Sequence, residues 1–550
     1  MTTFEAPGAG HWDLDRSHYD GGMTRISAKL MADGPRNAYR KLFHKFGVPA
    51  ETVDVQIVQG FIYSRIRPLV GPDLPATKAP PVWVVKLLGR LHPELRRRAK
   101  AAQQTLDNPG WAEVAAEWRS EIKPRLVARN LELQGLDLAV MSNAELADHL
   151  DVVLTHVAMT FEEHHRLHGY DLGPLGQLVV AGRDWGIATS ETLAALVGAS
   201  PTTTAPRAEA AKIRAAVLDV DGDLASLESM REASPEARRL LDAYIERHGS
   251  LLYSSYDIDS PTLVERPEVL ARSIRHAQPP VDVASGASAV VDKIRQRIPA
   301  EDLEEFDHLL EEARAAMDMR DDNGPITVEW PAGLLRLAMI EAGRRLCGAG
   351  RIPEVDLIFE LEVDELAAIV RDGSGPGRAE LKARAAERAQ QKLLDPPLGL
   401  GPPEPPPVLE ALPTASATLI RIVNAVSDEL LTAAVATAGP DAKGALSGTG
   451  IGSDVFIGLA RTAATATDAI ASLEPGEVLV TRNTSPAYNL ILSLAGGLVT
   501  ETGGAMCHAA VLSRELGLPA VIGAPGCLEA IQTGDRVELD PLSGTVRIIR

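Results

Sequence analysis

The sequence predicts a large, mostly α-helical domain followed by a small α/β domain, and three observations predict it. Through residues 1–394 apolar side chains recur at spacings of three and four. A run of prolines then interrupts every regular pattern. Beyond it, short apolar runs punctuated by Gly, Pro or Asn replace the helical period.

The helical period is plainest in NAELADHLDVVLTHVAMTFEEHHRLHG from Asn143, DLEEFDHLLEEARAAMDMR from Asp302 and LLRLAMIEAGRRLCGAG from Leu334. Strand-like alternation is nearly absent from this region. RAELKARAAERAQQKLL, from Arg378, is mostly polar and reads as an exposed helix. Residues 395–412 follow, with seven prolines between Asp395 and Pro407. That density supports neither helix nor sheet pairing, so the segment is expected to be an extended spacer, at about 3.1 Å per residue. Residues 413–550 open with a linker helix, SATLIRIVNAVSDELLTAAVA. Five short strands come next: DVFIGLA, GEVLVT, GGLVT, PAVIG and RVELD. Between the third and fourth lies one helix, Cys507 to Leu516, closed by Gly517 in the helix-terminating position.

Composition narrows the function classes. A formal charge of -20 opposes a nucleic-acid partner, whose phosphates demand a basic surface, and equally an anionic membrane. Aromatics are only 4%, so the cores must be aliphatic. The three cysteines, Cys347, Cys507 and Cys527, have neither a disulfide framework nor metal-like spacing, which fits a reducing cytoplasm. MTTFEAPGAGHWDLDRSHYDGG has no basic and apolar regions of the signal-peptide kind, and no apolar run is long enough to span a bilayer. A cytoplasmic protein is expected.

The informative segment is LVTETGGAMCHAAVLSRELGLPAVIG, Leu498 to Gly523. A strand ends at Thr500, Gly503 and Gly504 make a flexible turn, and His508 falls in the first turn of a helix. The unpaired N–H groups and positive dipole end of such a helix favour an anion. An imidazole there sits beside a phosphate site, and the dipole holds the ring neutral and nucleophilic. A neutral His can attack phosphorus and form a labile N-phosphoryl intermediate. Cys507 completes the phosphate turn with the two glycines. Arg514 is a candidate to neutralise the phosphate, although helical spacing puts it off the His508 face.

The segment closely resembles the signature of the PEP-utilising enzymes, such as PEP synthase, pyruvate phosphate dikinase and rifampicin phosphotransferase. In that family a Gly-Gly turn precedes Ser/Cys-His-Ala-Ala and an Arg-Glu-Leu-Gly-(Ile/Leu)-Pro-Ala-Val-(Val/Ile)-Gly run. Gly503, Gly504, Cys507, His508, Ala509, Ala510, Arg514, Glu515, Leu516, Gly517, Pro519, Ala520, Val521 and Gly523 match it. PGEVLVTRNTSPAY and TGDRVELDPLSGTV look like the same family's mobile domain. The resemblance implies a phosphohistidine swivel domain, with His508 as carrier.

In the helical region, HWDLDRSHYDGGMTRIS, YDIDSPTLVERPEVL and GRIPEVDLIFELEVDEL resemble segments of the acceptor domain in rifampicin phosphotransferase and its relatives. Relatives often carry Arg-Gly and an acidic cluster before Asp-Ile, whereas this chain has RHGSLLYSSYDID. No ATP-grasp domain or TIM barrel is recognisable in the 550 residues. The architecture therefore looks most like the acceptor-plus-His subunit of phenylphosphate synthase and the acetovanillone-type kinases. That resemblance implies a separate ATP-grasp subunit that binds ATP with Mg²⁺ and releases AMP and phosphate. It further implies an organic hydroxyl acceptor, best a phenol such as a hydroxyphenyl ketone. The alternatives are a rifamycin-type antibiotic acceptor, and a phosphorylatable regulatory module that turns over no metabolite.

The helix from Asn143 carries His164, His165 and His168 on or beside the continuation of its apolar face. Three readings stand: a base that takes the acceptor proton, a metal pair at His164 and His168, or packing alone. Arg16, His18 and His248, from loop-like segments, are weaker candidates for substrate contact.

Overall fold

The apolar period from Asn143 has a physical outcome in one helix, Asn143–Asp184, whose Leu146, Leu150, Val153, Val157 and Phe161 are all buried. Its start is fixed by a reciprocal cap. The Ser142 backbone N–H donates to Glu145 at 2.7 Å, and the Glu145 N–H donates to the Ser142 hydroxyl at 3.3 Å. The computed structural model describes residues 3–15, 19, 21–71, 78–279, 283–431, 445–484, 488–489 and 491–549. They gather into two compact units. Unit 1 is Met1–Tyr170, Tyr256–Ser260 and Ile326–Arg421; unit 2 is Asp171–Ser255, Pro261–Pro325 and Ile422–Arg550.

Unit 1 is helical around a four-stranded sheet, β1 (Trp12–Asp15), β2 (Ala50–Val58), β3 (Phe61–Pro68) and β4 (Gly399–Leu400), in the order β2-β3-β1-β4. This corrects the expectation that strands are nearly absent before residue 394. AETVDVQIV and FIYSRIRP pair antiparallel from Val58↔Phe61 outward. Gln59 and Gly60, both at positive φ (52° and 79°), form the two-residue turn. Gln at the first turn position hides the hairpin signal, which Asn or Asp would have announced.

The proline-rich segment also differs from a plain spacer. It is extended, but β4 pairs with β1 through Trp12↔Leu400 and Asp13↔Gly399. Leu14 N–H donates to Leu398 O at 2.9 Å, and the Tyr63 hydroxyl donates to Pro397 O at 2.8 Å. Gly399 and Leu400 lie between prolines and keep the N–H groups that sheet pairing needs.

The helix Arg25–Phe46 in unit 1 is anchored at its start. Thr24 caps it, and the buried Asp257 accepts from Thr24 N–H (2.8 Å), the Thr24 hydroxyl (2.5 Å) and the Ser27 hydroxyl (2.8 Å). A carboxylate there suits the positive end of the helix. Among the described residues two π-helical turns occur, Trp118–Ile122 and Pro325–Glu329. The polar helix Arg378–Gln391 buries only Leu381 and is held by ion pairs, including Arg384–Glu365 at 2.6 Å.

Unit 2 combines helices with an eight-stranded mixed sheet: β5 (Ala445–Ser447), β6 (Thr449–Ile451), β7 (Phe456–Thr462), β8 (Val478–Thr481), β9 (Gly497–Thr500), β10 (Ala520–Ile522), β11 (Arg536–Asp540) and β12 (Thr545–Ile548). The order is β5-β12-β11-β7-β8-β9-β10-β6. β7, β8, β9 and β10 run parallel, and their neighbours are antiparallel. β8, β9 and β10 are buried on both faces, which explains their unbroken apolar runs. No helix among the described residues is long and apolar enough to cross a membrane.

Candidate functional site

The crossover from β9 to β10 builds the site. Thr500 ends β9 and Gly503 turns the chain at φ 121°, where a Cβ would meet Cys507 Sγ at 2.7 Å. Cys507 N–H donates to Gly504 O at 3.1 Å, and Cys507 is the N-cap of the helix His508–Leu516. Gly517 closes that helix in the left-handed region at φ 62°. His508 is thus the first helical residue, at the end where backbone N–H groups favour an anion. Burial pushes the Cys507 thiol upward, so it is no rival nucleophile to the imidazole.

Both imidazole nitrogens are engaged. Nδ1 lies 2.9 Å from Thr484 Oγ1, and Nε2 lies 2.8 Å from Asn489 Oδ1. With the Asn489 amide oxygen toward the ring, Nε2–H donates and Nδ1 accepts from the Thr484 hydroxyl. Whichever nitrogen attacks phosphorus must first release its partner. The ring is half-buried by accessible surface but closely enclosed by protein atoms. That enclosure, with the Arg320 guanidinium as second cause, lowers its pKa to about 3. His508 is therefore neutral at every physiological pH.

Arg320, near the end of the helix Leu303–Gly324, is a residue of the candidate site that sequence reasoning missed. Its Nη1 is buried with no hydrogen-bond partner, and its Nη2 lies 3.5 Å from Met506 O. An unpartnered guanidinium N–H whose charge acts on the His508 imidazole is suited to an anionic oxygen. The only sequence signal was its place at the end of AAMDMR, a helix read for packing. Thr484 and Asn489 were missed as well, because they precede His508 by 24 and 19 residues.

Residues 473–544 match the family described as PEP-utilising enzyme, mobile domain. The match takes in β8 to β11 and the His508 helix. Chondramide synthase of Chondromyces crocatus is 29% identical over 331 residues, 56% of this chain and 8% of that protein. Rifampicin phosphotransferase of Streptomyces sviceus is 26% identical over 336 residues, 57% of this chain and 35% of the relative. Rifampicin phosphotransferase of Bacillus subtilis is 40% identical over 105 residues, 19% of this chain and 12% of the relative. The chain spans about a third or less of the length of these relatives.

Around the mobile domain's helix, unit 2 places Arg514 and Glu515 in distinct roles. Arg514 Nη1 donates to Ala505 O at 2.6 Å, tying down the turn before His508. Glu515 shares the His508 face two turns on, is buried, and accepts from Gly198 N–H at 2.9 Å. Burial raises its pKa to about 7. Asp321, next to Arg320, accepts from the Thr203 hydroxyl at 2.8 Å and is also shifted upward by burial. A shallow, half-open depression lies on this face, lined by Leu196, Met317, Met506, Val511 and Glu515 among others.

The remaining predicted residues fall elsewhere. Arg16 and His18 lie outside the described residues. His248, in unit 2, sits 3.1 Å from Glu209 and against the Tyr244 ring, a local ion-pair arrangement. His164, His165 and His168 do come together, in unit 1. His164 Nε2 faces His168 Nε2 at 3.1 Å, and His164 Nδ1 meets Thr327 Oγ1 at 3.2 Å. His165 Nδ1 bonds Phe161 O at 2.8 Å, so its ring is tied to its own helix. Among the described residues no group of three or more His, Cys, Asp or Glu is arranged to hold a metal ion.

Proposed function

We propose that this chain is a phosphotransferase component in which His508 takes a phosphoryl group from an ATP-grasp partner and passes it to an organic hydroxyl, best a phenol. The observation that carries the reading is the state of His508: neutral, enclosed, at a helix N-terminus, with Arg320 holding an unpartnered guanidinium N–H. Those are the requirements of a nucleophile that must accept an anionic group.

In the first half-reaction an imidazole nitrogen attacks phosphorus, an N–P bond forms, and a P–O bond to the donor breaks. In the second, the acceptor oxygen attacks phosphorus, the N–P bond breaks, and the hydroxyl proton leaves to a base. The balance is ATP, water and acceptor giving AMP, phosphate and phosphorylated acceptor. Arg320 contributes by countering charge on the phosphoryl oxygens, and Thr484 and Asn489 by orienting the ring. Mg²⁺ is expected with ATP on the partner.

The similarity to rifampicin phosphotransferases, by name acting on rifampicin, favours an antibiotic hydroxyl as the second reading. The test is to charge the full chain with labelled ATP and an ATP-grasp partner, then chase with phenols and with rifampicin. Loss of label to a phenol supports the first reading and loss to rifampicin the second. Label that neither removes contradicts both.

A further inference from the structure

The helix Val82–Leu91 in unit 1 is apolar in sequence, yet not one of its ten residues is buried. Val82, Trp83, Leu87, Leu88 and Leu91 are exposed, so five of the 21 exposed large apolar side chains among the described residues fall in this one helix. Single exposed apolar residues are ordinary, whereas such a cluster marks a contact surface. Of the six tryptophans Trp83 alone is exposed, at 68%.

The ends of the helix explain why it stands apart. Pro81 is its N-cap. His92 is at once its C-cap and the N-cap of the next helix, Pro93–Asp107. Pro93 has no N–H to carry the first helix onward and holds the residue before it extended, so the chain turns at His92.

Trp83, Leu87 and Leu91 recur every four residues and form one row along the helix. Lys86 and Arg90, also four apart and exposed, form the adjacent row. The elements that touch this helix are Pro93–Asp107 and the turn Leu409–Ala411. The first adds Arg96, Arg97 and Lys100 at exposed positions. The acids of the two are Glu94, bound by Arg97 and Arg98, Asp107 at the far end, and Glu410. From Lys78 to Lys100 there are seven Lys or Arg and one acid, in a chain whose formal charge is -20.

Charge and composition select the occupant. A second copy would set this cationic face against its own image, because a two-fold interface uses one patch twice. Protein interfaces are depleted in Lys, yet this surface exposes Lys78, Lys86 and Lys100. Trp and Leu beside Lys and Arg on one exposed helix are the composition that enters the headgroup boundary of an anionic bilayer. The charge of the whole chain does not oppose this locally, since screening limits each charge to about 8 Å at physiological ionic strength.

We infer that the exposed face of the helix Val82–Leu91 docks on a bilayer surface that carries anionic lipid headgroups. Trp83, Leu87 and Leu91 enter the boundary between headgroups and acyl chains, and Lys86 and Arg90 lie among the headgroups. The helix rests in the plane of the surface, because at about 15 Å it is far too short to span.

The experiment titrates the full chain, with no phosphoryl donor present, with vesicles of phosphatidylcholine alone or mixed with phosphatidylglycerol. Binding is read by co-sedimentation and by quenching of tryptophan with brominated lipid. The expected result is saturable binding to the anionic vesicles, at least tenfold weaker to phosphatidylcholine alone and at least tenfold weaker in high salt. Lys86→Glu with Arg90→Glu should weaken it at least tenfold, as should Leu87→Ser with Leu91→Ser. Trp83→Phe should keep the binding and lose the lipid quenching. None of these side chains is buried, so each variant should keep the wild-type melting temperature. Absence of binding to anionic vesicles, or binding that the charge and apolar variants leave unchanged, would overturn the inference. Binding to an ATP-grasp partner that the same variants abolish, with no binding to vesicles, would assign the face to a protein and equally overturn it.

Discussion

His508 in unit 2 and the His164–His168 pair in unit 1 are both half-buried imidazole sites on helices, and their surroundings differ in kind. His508 begins its helix, contacts two neutral partners, and feels the Arg320 cation. His164 lies mid-helix and spends its nitrogens on Thr327 and a second imidazole. One ring is held neutral beside groups that attract an anion; the other is tied to a hydroxyl and to a second imidazole. The contrast teaches that position on the helix and the nearest cation, not residue type, set what an imidazole can do.

The largest expected effect separates them by charge. Arg320→Gln should slow the transfer steps by about 10²–10³-fold, the scale of removing one preorganised donor from a charged transition state. It should also raise the His508 pKa, read by NMR titration of the ring. An unchanged rate with an unchanged titration would break the assignment of Arg320 to the site. His164→Asn, in unit 1, should leave labelling of His508 at the wild-type level while disturbing the Thr327 and His168 contacts.

Two pH dependences sharpen the comparison, with opposite signs. His508 has a native pKa of about 3 against 6.5 ordinarily, so the unfolded chain binds its proton first as pH falls. Its contribution is complete above pH 6.5 and is lost between there and pH 3, at about 1.4 kcal/mol per pH unit. Glu329, buried in unit 1 with no hydrogen-bond partner at Oε1, is shifted the other way, to about 8 from 4.5. Its contribution is complete below pH 4.5 and is lost as pH rises to 8. Glu329→Gln should therefore raise Tm relative to wild type at pH 8 and much less at pH 5. Equal shifts at both pH values would place the Glu329 carboxyl in water.

The smallest effect concerns ring orientation. Thr484→Val removes the partner of Nδ1 and should cost about 1 kcal/mol of stability in chemical denaturation. It should slow His508 labelling by less than Arg320→Gln does, because the Asn489 contact remains. A loss as large as that of Arg320→Gln would move the weight of the site from charge to orientation.

Much of this was readable from residue order where chemistry is local. The Gly503–Gly504 turn, the helix start at His508 and its stop at Gly517 all follow from neighbouring residues. So does the burial of Leu146, Leu150 and Val153. The β2–β3 hairpin was hidden because Gln59 occupies a turn position that usually advertises itself with Asn, Asp or Gly. The pairing of Gly399 and Leu400 with Trp12 and Asp13 joins residues nearly four hundred positions apart, and no local pattern encodes such a partner. Arg320 was illegible for the same reason: its charge matters through a contact with the β9–β10 crossover, 188 residues further on. Glu329 follows an apolar stretch as an ordinary acid would, and only burial without a partner sets it apart.

The most direct test of the central claim is the chemical identity of the charged residue. The full chain and its His508→Ala variant would be incubated with an ATP-grasp partner and ATP labelled at the transferable phosphate, then digested and mapped. The account predicts an acid-labile, base-stable label on the peptide containing His508 in the wild type and none in the variant. Equal label in both chains, or no label on His508 with a partner shown to be active, would contradict it.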